Sequence, residues 1–283
     1  MTYPKWLDQL EEARLGGAVG CVLTFNTGDR VYCPEVCQTP LSLPYFLAKF
    51  FSGQGYRVGL YAQSRGFEDI TPPEACVPAN SSPARISADS SQPMALRQLH
   101  RIVREPKAKT VLILDYADHV APESHGRFNT LSADQTTAIE ILHGWGHDDA
   151  IRQTENFVVM IAYTGNVNSL ITQGGGYRVV PVDLPRESER RAFVEFIQQA
   201  KEKRPGLFGS LIEDFTWDEY VCVTGGLRLS DIEEMFRRSA GQQIPIDREM
   251  VRDQKKRSIS ALCKDLLEII EPVKGFEALA GAE

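Results

Sequence analysis

The 283 residues contain no GxxxxGK[ST] segment. Its absence excludes the common grip on a triphosphate, in which loop amides wrap the phosphates and a lysine neutralises them. Cysteine is sparse. Cys21, Cys33, Cys37, Cys76, Cys222 and Cys263 are too few in a chain of this length for a disulfide framework, so reduced thiols are expected. No second cysteine pair follows Cys33 and Cys37 at ligand spacing, which argues against a zinc site. Basic charge is not in excess: 38 acidic against 31 basic residues give a net charge of -7 with no long basic run, so no nucleic-acid footprint is evident. No apolar run approaches the roughly 20 residues of a membrane span, and the start, Met1 to Trp6, has no apolar leader; a cytoplasmic location is expected.

What is present is a chain with 42% hydrophobic residues, enough to bury a large core. Helical spacing over Lys5 to Leu15 ends at Gly16-Gly17, and the apolar run Ala18 to Phe25 then reads as a strand followed by the turn Asn26-Thr27-Gly28-Asp29-Arg30. Leu43 to Phe51 is helical and Tyr56 to Ala62 a second strand. Five prolines between Thr71 and Pro93 predict a long exposed loop, a candidate client-binding segment. Met94 to Arg104 is helical, the eight residues Val111 to Asp118 read as a buried strand that ends in a carboxylate, and Ser132 with Gln135 forms a capping box for a helix through Leu142. His143-Gly-Trp-Gly-His147 sets two imidazoles four residues apart, but its glycines predict a capped helix end with exposed histidines. Asn156 to Tyr163 and Arg178 to Leu184 are the fourth and fifth strands.

Short apolar strands alternating with longer helices specify a parallel sheet covered on both faces. After Pro185 the pattern turns helical: Glu187 to Lys203, Ile212 to Cys222, Leu229 to Ser239 and Asp247 to Leu262.

Three stretches carry a family likeness. Arg178 to Pro185 with the charged helix from Arg186 to Phe193, Thr224-Gly-Gly-Leu-Arg-Leu-Ser-Asp-Ile-Glu-Glu-Met-Phe236, and Ile244-Pro-Ile-Asp247 with the Lys255-Lys256 helix resemble the last strand, the glycine turn and the final helix of AAA+ modules. The segment Leu23 to Val31 and the tail, Leu266-Leu-Glu268 with Gly275 to Gly281, are similar to the degenerate first module of tandem, plastid-type AAA proteins. The resemblance implies an α/β fold with a five-stranded parallel P-loop NTPase-like sheet over 1–185, a small all-helical lid over 186–262, and a linker over 263–283 leading to a second module.

The resemblance also assigns site residues. Asp115 falls where the family's Walker B aspartate holds magnesium, but Tyr116 stands where a glutamate orients the attacking water; the alternative is that Asp115 only ends a strand. Asn26, Thr27, Gly28 and Asp29 occupy the place of the phosphate loop, with a carboxylate where a lysine is needed. Arg178 matches one arginine finger while the other position falls on Gly175, and the alternative is an exposed residue at a strand start. Asn166 matches a γ-phosphate sensor or belongs to an ordinary turn. The leading expectation is a catalytically silent pseudo-ATPase module that needs no cofactor. Its partners would be an active AAA+ module or homologous subunits in a ring, and a client protein. The alternatives are an ATP- and magnesium-dependent nucleotidase with an unorthodox phosphate site, and a stand-alone adaptor.

Overall fold

The computed structural model describes residues 3–75, 86–106, 109–124, 131–164 and 167–263. In chain order the first elements are α1 (Lys5–Leu15), β1 (Gly20–Phe25), β2 (Arg30–Val31), β3 (Leu41–Ser42), α2 (Leu43–Gly53), β4 (Arg57–Ala62) and β5 (Gly66–Asp69). Next come α3 (Gln92–Val103), β6 (Thr110–Leu114), α4 (Ala117–Val120), α5 (Ala133–Gly146), α6 (Asp149–Arg152), β7 (Phe157–Ile161), α7 (Ser169–Thr172) and β8 (Tyr177–Val182). The helices α8 (Glu187–Lys203), α9 (Trp217–Val223), α10 (Leu229–Gln242) and α11 (Arg248–Cys263) complete the chain order.

The main sheet has the order β5-β4-β6-β7-β1-β8, and every pairing is parallel except β4 with β5. Side chains alternate across it by strand geometry. Cys21, Leu23, Val111, Ile113, Val159 and Ile161 pack with Trp6, Leu10, Phe46 and Phe51 from α1 and α2. Their neighbours Val22, Leu112, Leu114, Val158 and Met160 pack with Leu96, Leu99, Leu142 and Trp145 from α3 and α5 on the opposite face. Burial on both faces explains why these strands read as continuous apolar runs.

Five strands were expected and six are present. The addition is β5, an antiparallel edge strand that folds back through a turn in which Arg65 N donates to the Ala62 carbonyl and Gly66 takes a φ of 75°. The Phe67 ring packs against Gly59, where an added Cβ would come within 2.4 Å of it. That contact fixes the hairpin and leaves no trace in the local pattern. The expected exposed loop over 71–93 is also shorter than its prolines suggest. Ile86 is buried and its carbonyl accepts from Phe67 N, while Pro93 lies in the first turn of α3, where its missing N–H costs nothing. Residues 76–85 fall outside the described set.

Helix α5 opens on the expected capping box, Ser132 with Gln135, and continues through Gly144 to Gly146 rather than ending before them. The helix end packs closely on β8: a Cβ added to Gly146 would come within 3.1 Å of the Tyr177 ring and 3.3 Å of Gly176 Cα. Cys21, Cys33, Cys37 and Cys222 are free thiols, and burial pushes Cys21 and Cys33 up to about 12.

Packing divides the chain into a compact unit over Met1–Phe193 and a second that begins at Val194, inside α8. In the second unit Trp217 stacks on Phe236 at 5.8 Å and Tyr220 meets the same ring edge-on at 5.4 Å. Helix α9 begins at Trp217, later than the expected Ile212, because Thr216 caps it by accepting from Glu219 N. An isolated bridge joins Leu211 to Ile246. The expected linker falls, beyond Cys263, outside the described residues.

Candidate functional site

In a doubly wound sheet, ligands bind beyond the carboxyl ends of the parallel strands. Asn26 to Asp29 follow β1 there, Asp115 follows β6, and Tyr163 follows β7.

The loop after β1 is closed on itself. Asn26 N donates to the Val182 carbonyl at 3.2 Å, Asn26 Nδ2 to Asp29 Oδ2 at 3.2 Å, and Thr27 Oγ1 to the Ala162 carbonyl at 2.8 Å. Arg30 N donates to Asp29 Oδ1 at 2.7 Å. Asn26, Thr27 and Asp29 are all buried. Phe25, just before them, is exposed and held at a φ of 75°, a left-handed conformation that costs an aromatic residue about 1–2 kcal/mol. A phosphate cradle needs outward amides and a cation; here the loop's polar groups are held by Asp29, Val182 and Ala162, except Asn26 Oδ1, which is buried with no partner among the described residues.

Asp115 is only 3% exposed and has both oxygens engaged: Tyr163 Oη donates to Oδ1 at 2.8 Å and Arg65 Nη2 to Oδ2 at 3.1 Å. Burial raises its carboxyl, and the Tyr163 hydroxyl and Arg65 guanidinium oppose that rise without cancelling it. The Tyr163 ring also faces the loop, since a Cβ on Gly28 would lie 3.8 Å from its Cδ1. Tyr163 therefore stands between the two halves of the expected phosphate site. Its own hydroxyl is raised, first by burial and then by the Asp115 charge. Tyr116 adopts a left-handed conformation (φ 55°), is exposed, and lies 4.7 Å from the Tyr163 ring. Asp118 belongs to the α4 turn, where Oδ2 accepts from Thr164 N at 3.0 Å and from Thr164 Oγ1 at 2.7 Å.

A family model described as "AAA+ chaperone, N-terminal Rossmann-like domain" matches residues 1–183. The chain belongs to this family. No characterised protein matches it at a significant level.

Within this AAA+ chaperone N-terminal domain, Arg178 does not converge on Asp115. Arg178 pairs in register with Cys21, whereas Val182 pairs with Phe25 at the site edge. Four residues separate the two positions, about 13 Å along a strand. Arg178 is exposed, and among the described residues no ion pair holds it. The glycines before it are not a loose swing: Gly174 and Gly176 are pressed against the Leu170 carbonyl and Gly146, and Gly175 sits at a φ of 82°. Asn166 lies outside the described residues. Sequence reasoning missed Tyr163 and Arg65. The available signal was a tyrosine closing the apolar run of β7, a residue type that buries its ring and seeks a partner for its hydroxyl.

The raised Asp115 carboxyl gives a pH prediction. Folding favours its protonated form, so its contribution is fully present below the ordinary carboxylate value of about 4 and is lost as pH rises through the raised value. Asp115→Asn should therefore gain stability relative to wild type between pH 4 and pH 7 in urea unfolding. A difference that stays constant would show an unshifted carboxyl, and one that moves toward wild type would show that Asp115 is held as a favourable charge.

Proposed function

We propose that this AAA+ chaperone N-terminal domain is catalytically silent and acts by assembling with, regulating or recruiting clients for an active AAA+ module, in the first position of a tandem arrangement. The observation that carries the reading is Tyr163, which bridges the space between the Gly28 loop and Asp115 while its hydroxyl engages the aspartate. The missing GxxxxGK[ST] loop and the tyrosine at position 116 support it. Three parts of a phosphoryl-transfer machine are lost together, namely the lysine cradle, the free magnesium carboxylate and the water-orienting glutamate. In this reading Arg178 is retained as an exposed basic contact on the face turned to a neighbouring subunit. Among the described residues no helix is long and apolar enough to cross a membrane, and we place the protein's work in the cytoplasm.

The test is thermal unfolding with and without ATP and magnesium. A site filled at 100 times its Kd would add about 2.7 kcal/mol of stability. No shift is expected. A saturable shift that disappears in Asp29→Ala or Asp115→Ala would favour the nucleotidase reading. The assembly half of the reading is tested by co-elution of the chain with a catalytic AAA+ module from the same organism.

A further inference from the structure

We propose that His143 and His147 form a two-imidazole site for a borderline divalent transition-metal ion, of the chemistry of Zn2+ or Ni2+. The two residues stand four apart at the end of α5, and their ring centroids are 4.5 Å apart. His143 is in the last turn of α5 and His147 is its cap residue, at a φ of -113°; their four-residue spacing is that of the paired helical histidines that grip zinc. His147 Nδ1 lies 3.0 Å from the His143 carbonyl. A carbonyl only accepts, so Nδ1 carries the proton and Nε2 is left with its lone pair. This backbone contact sets the tautomer and ring direction, as the second hydrogen bond of metal-binding histidines does.

The surroundings favour a cation. The site lies at the carboxyl end of a 14-residue helix, the negative end of its dipole. Asp149 follows closely in sequence and is exposed. Asp148 is already committed to His100 at 2.9 Å and Arg104 at 3.2 Å, so it is not a ligand. The opposing charge is Arg152, which donates to the Gly146 carbonyl at 2.9 Å. Gly174 lies beside the Cδ2–Nε2 edge of the His143 ring, where an added Cβ would stand 3.2 Å from Cδ2 and 3.4 Å from Nε2, so a side chain there would press on that edge. Among the described residues no third histidine, cysteine or carboxylate completes a cluster, so water fills the other coordination positions. An ion held here braces the end of α5 where it meets the glycine turn that leads to Arg178.

Calorimetric titration with NiCl2 tests the site, on untagged protein whose accessible thiols have been alkylated because Cys222 is exposed. One ion per chain is expected, with His143→Ala and His147→Ala each weakening it about tenfold or more. His119→Ala should leave it unchanged. Ni2+ should also raise the melting temperature of wild type and not of His147→Ala, a readout that remains valid if one variant is poorly folded. No binding by wild type, or binding that survives the double substitution, overturns the proposal.

Discussion

Replacing Gly176 with alanine is expected to destabilise the sheet unit by about 3 kcal/mol, the upper end of the range for forcing volume into a packed interior. The added Cβ would lie 2.3 Å from Gly146 Cα and 2.4 Å from Gly146 O, and backbone atoms cannot rotate away. Relief requires the end of α5 to retreat from β8. That movement would break the hydrogen bond from Tyr177 Oη to the Leu142 carbonyl and expose Trp145, both now buried. At roughly 2–4 °C per kcal/mol for a domain of this size, the melting temperature should fall by about 10 °C. Gly144, two residues earlier on the same helix as Gly146, has nothing within 4 Å. Gly144→Ala should stabilise by about 0.5–1 kcal/mol through the smaller entropy of the unfolded chain. Opposite signs for the two variants would establish that close approach, not glycine content, governs this end of α5. Equal small effects would show that the helix end yields easily.

The second large effect is expected at Tyr163. Tyr163→Phe removes the donor to Asp115 Oδ1 and leaves a buried carboxylate oxygen without it, at a cost of about 1–3 kcal/mol. Tyr163→Ala also removes the ring that packs on Tyr116 and faces Gly28, and should cost about 3 kcal/mol or more. Neither variant should gain affinity for ATP, because opening the space supplies no lysine and Asp29 remains in the loop. Denaturant midpoints and a nucleotide titration of the same two proteins separate these effects. A Tyr163→Ala protein of unchanged stability that binds ATP would mean the tyrosine is a removable cover over a working site.

The strands were legible where burial on both faces made them apolar runs. β1, β4, β6, β7 and β8 begin and end within a few residues of the expected bounds. β5 was not, because Gly66-Phe-Glu-Asp69 carries no run and is held by Phe67 lying on Gly59, a contact between residues of different strands. The end of α5 was misread for a related reason. Helix propensity counts Gly144 and Gly146 as breakers, whereas tertiary packing sets Gly146 against Gly176, a position where no side chain fits. At the site, Asp115 could be found because it ends a buried strand. Its two partners could not: Tyr163 reaches it only through the parallel register of β6 and β7, and Arg65 only through the β4–β5 turn.

The most direct test of the silent-module reading is steady-state ATP turnover by the purified chain with magnesium, compared with Asp115→Ala. Loss of several groups that act as a unit is not additive, and whatever rate remains belongs to none of them. The account predicts turnover at background, identical in the two proteins. Turnover above background in wild type that Asp115→Ala abolishes would contradict it and make Asp115 a metal-holding catalytic carboxylate.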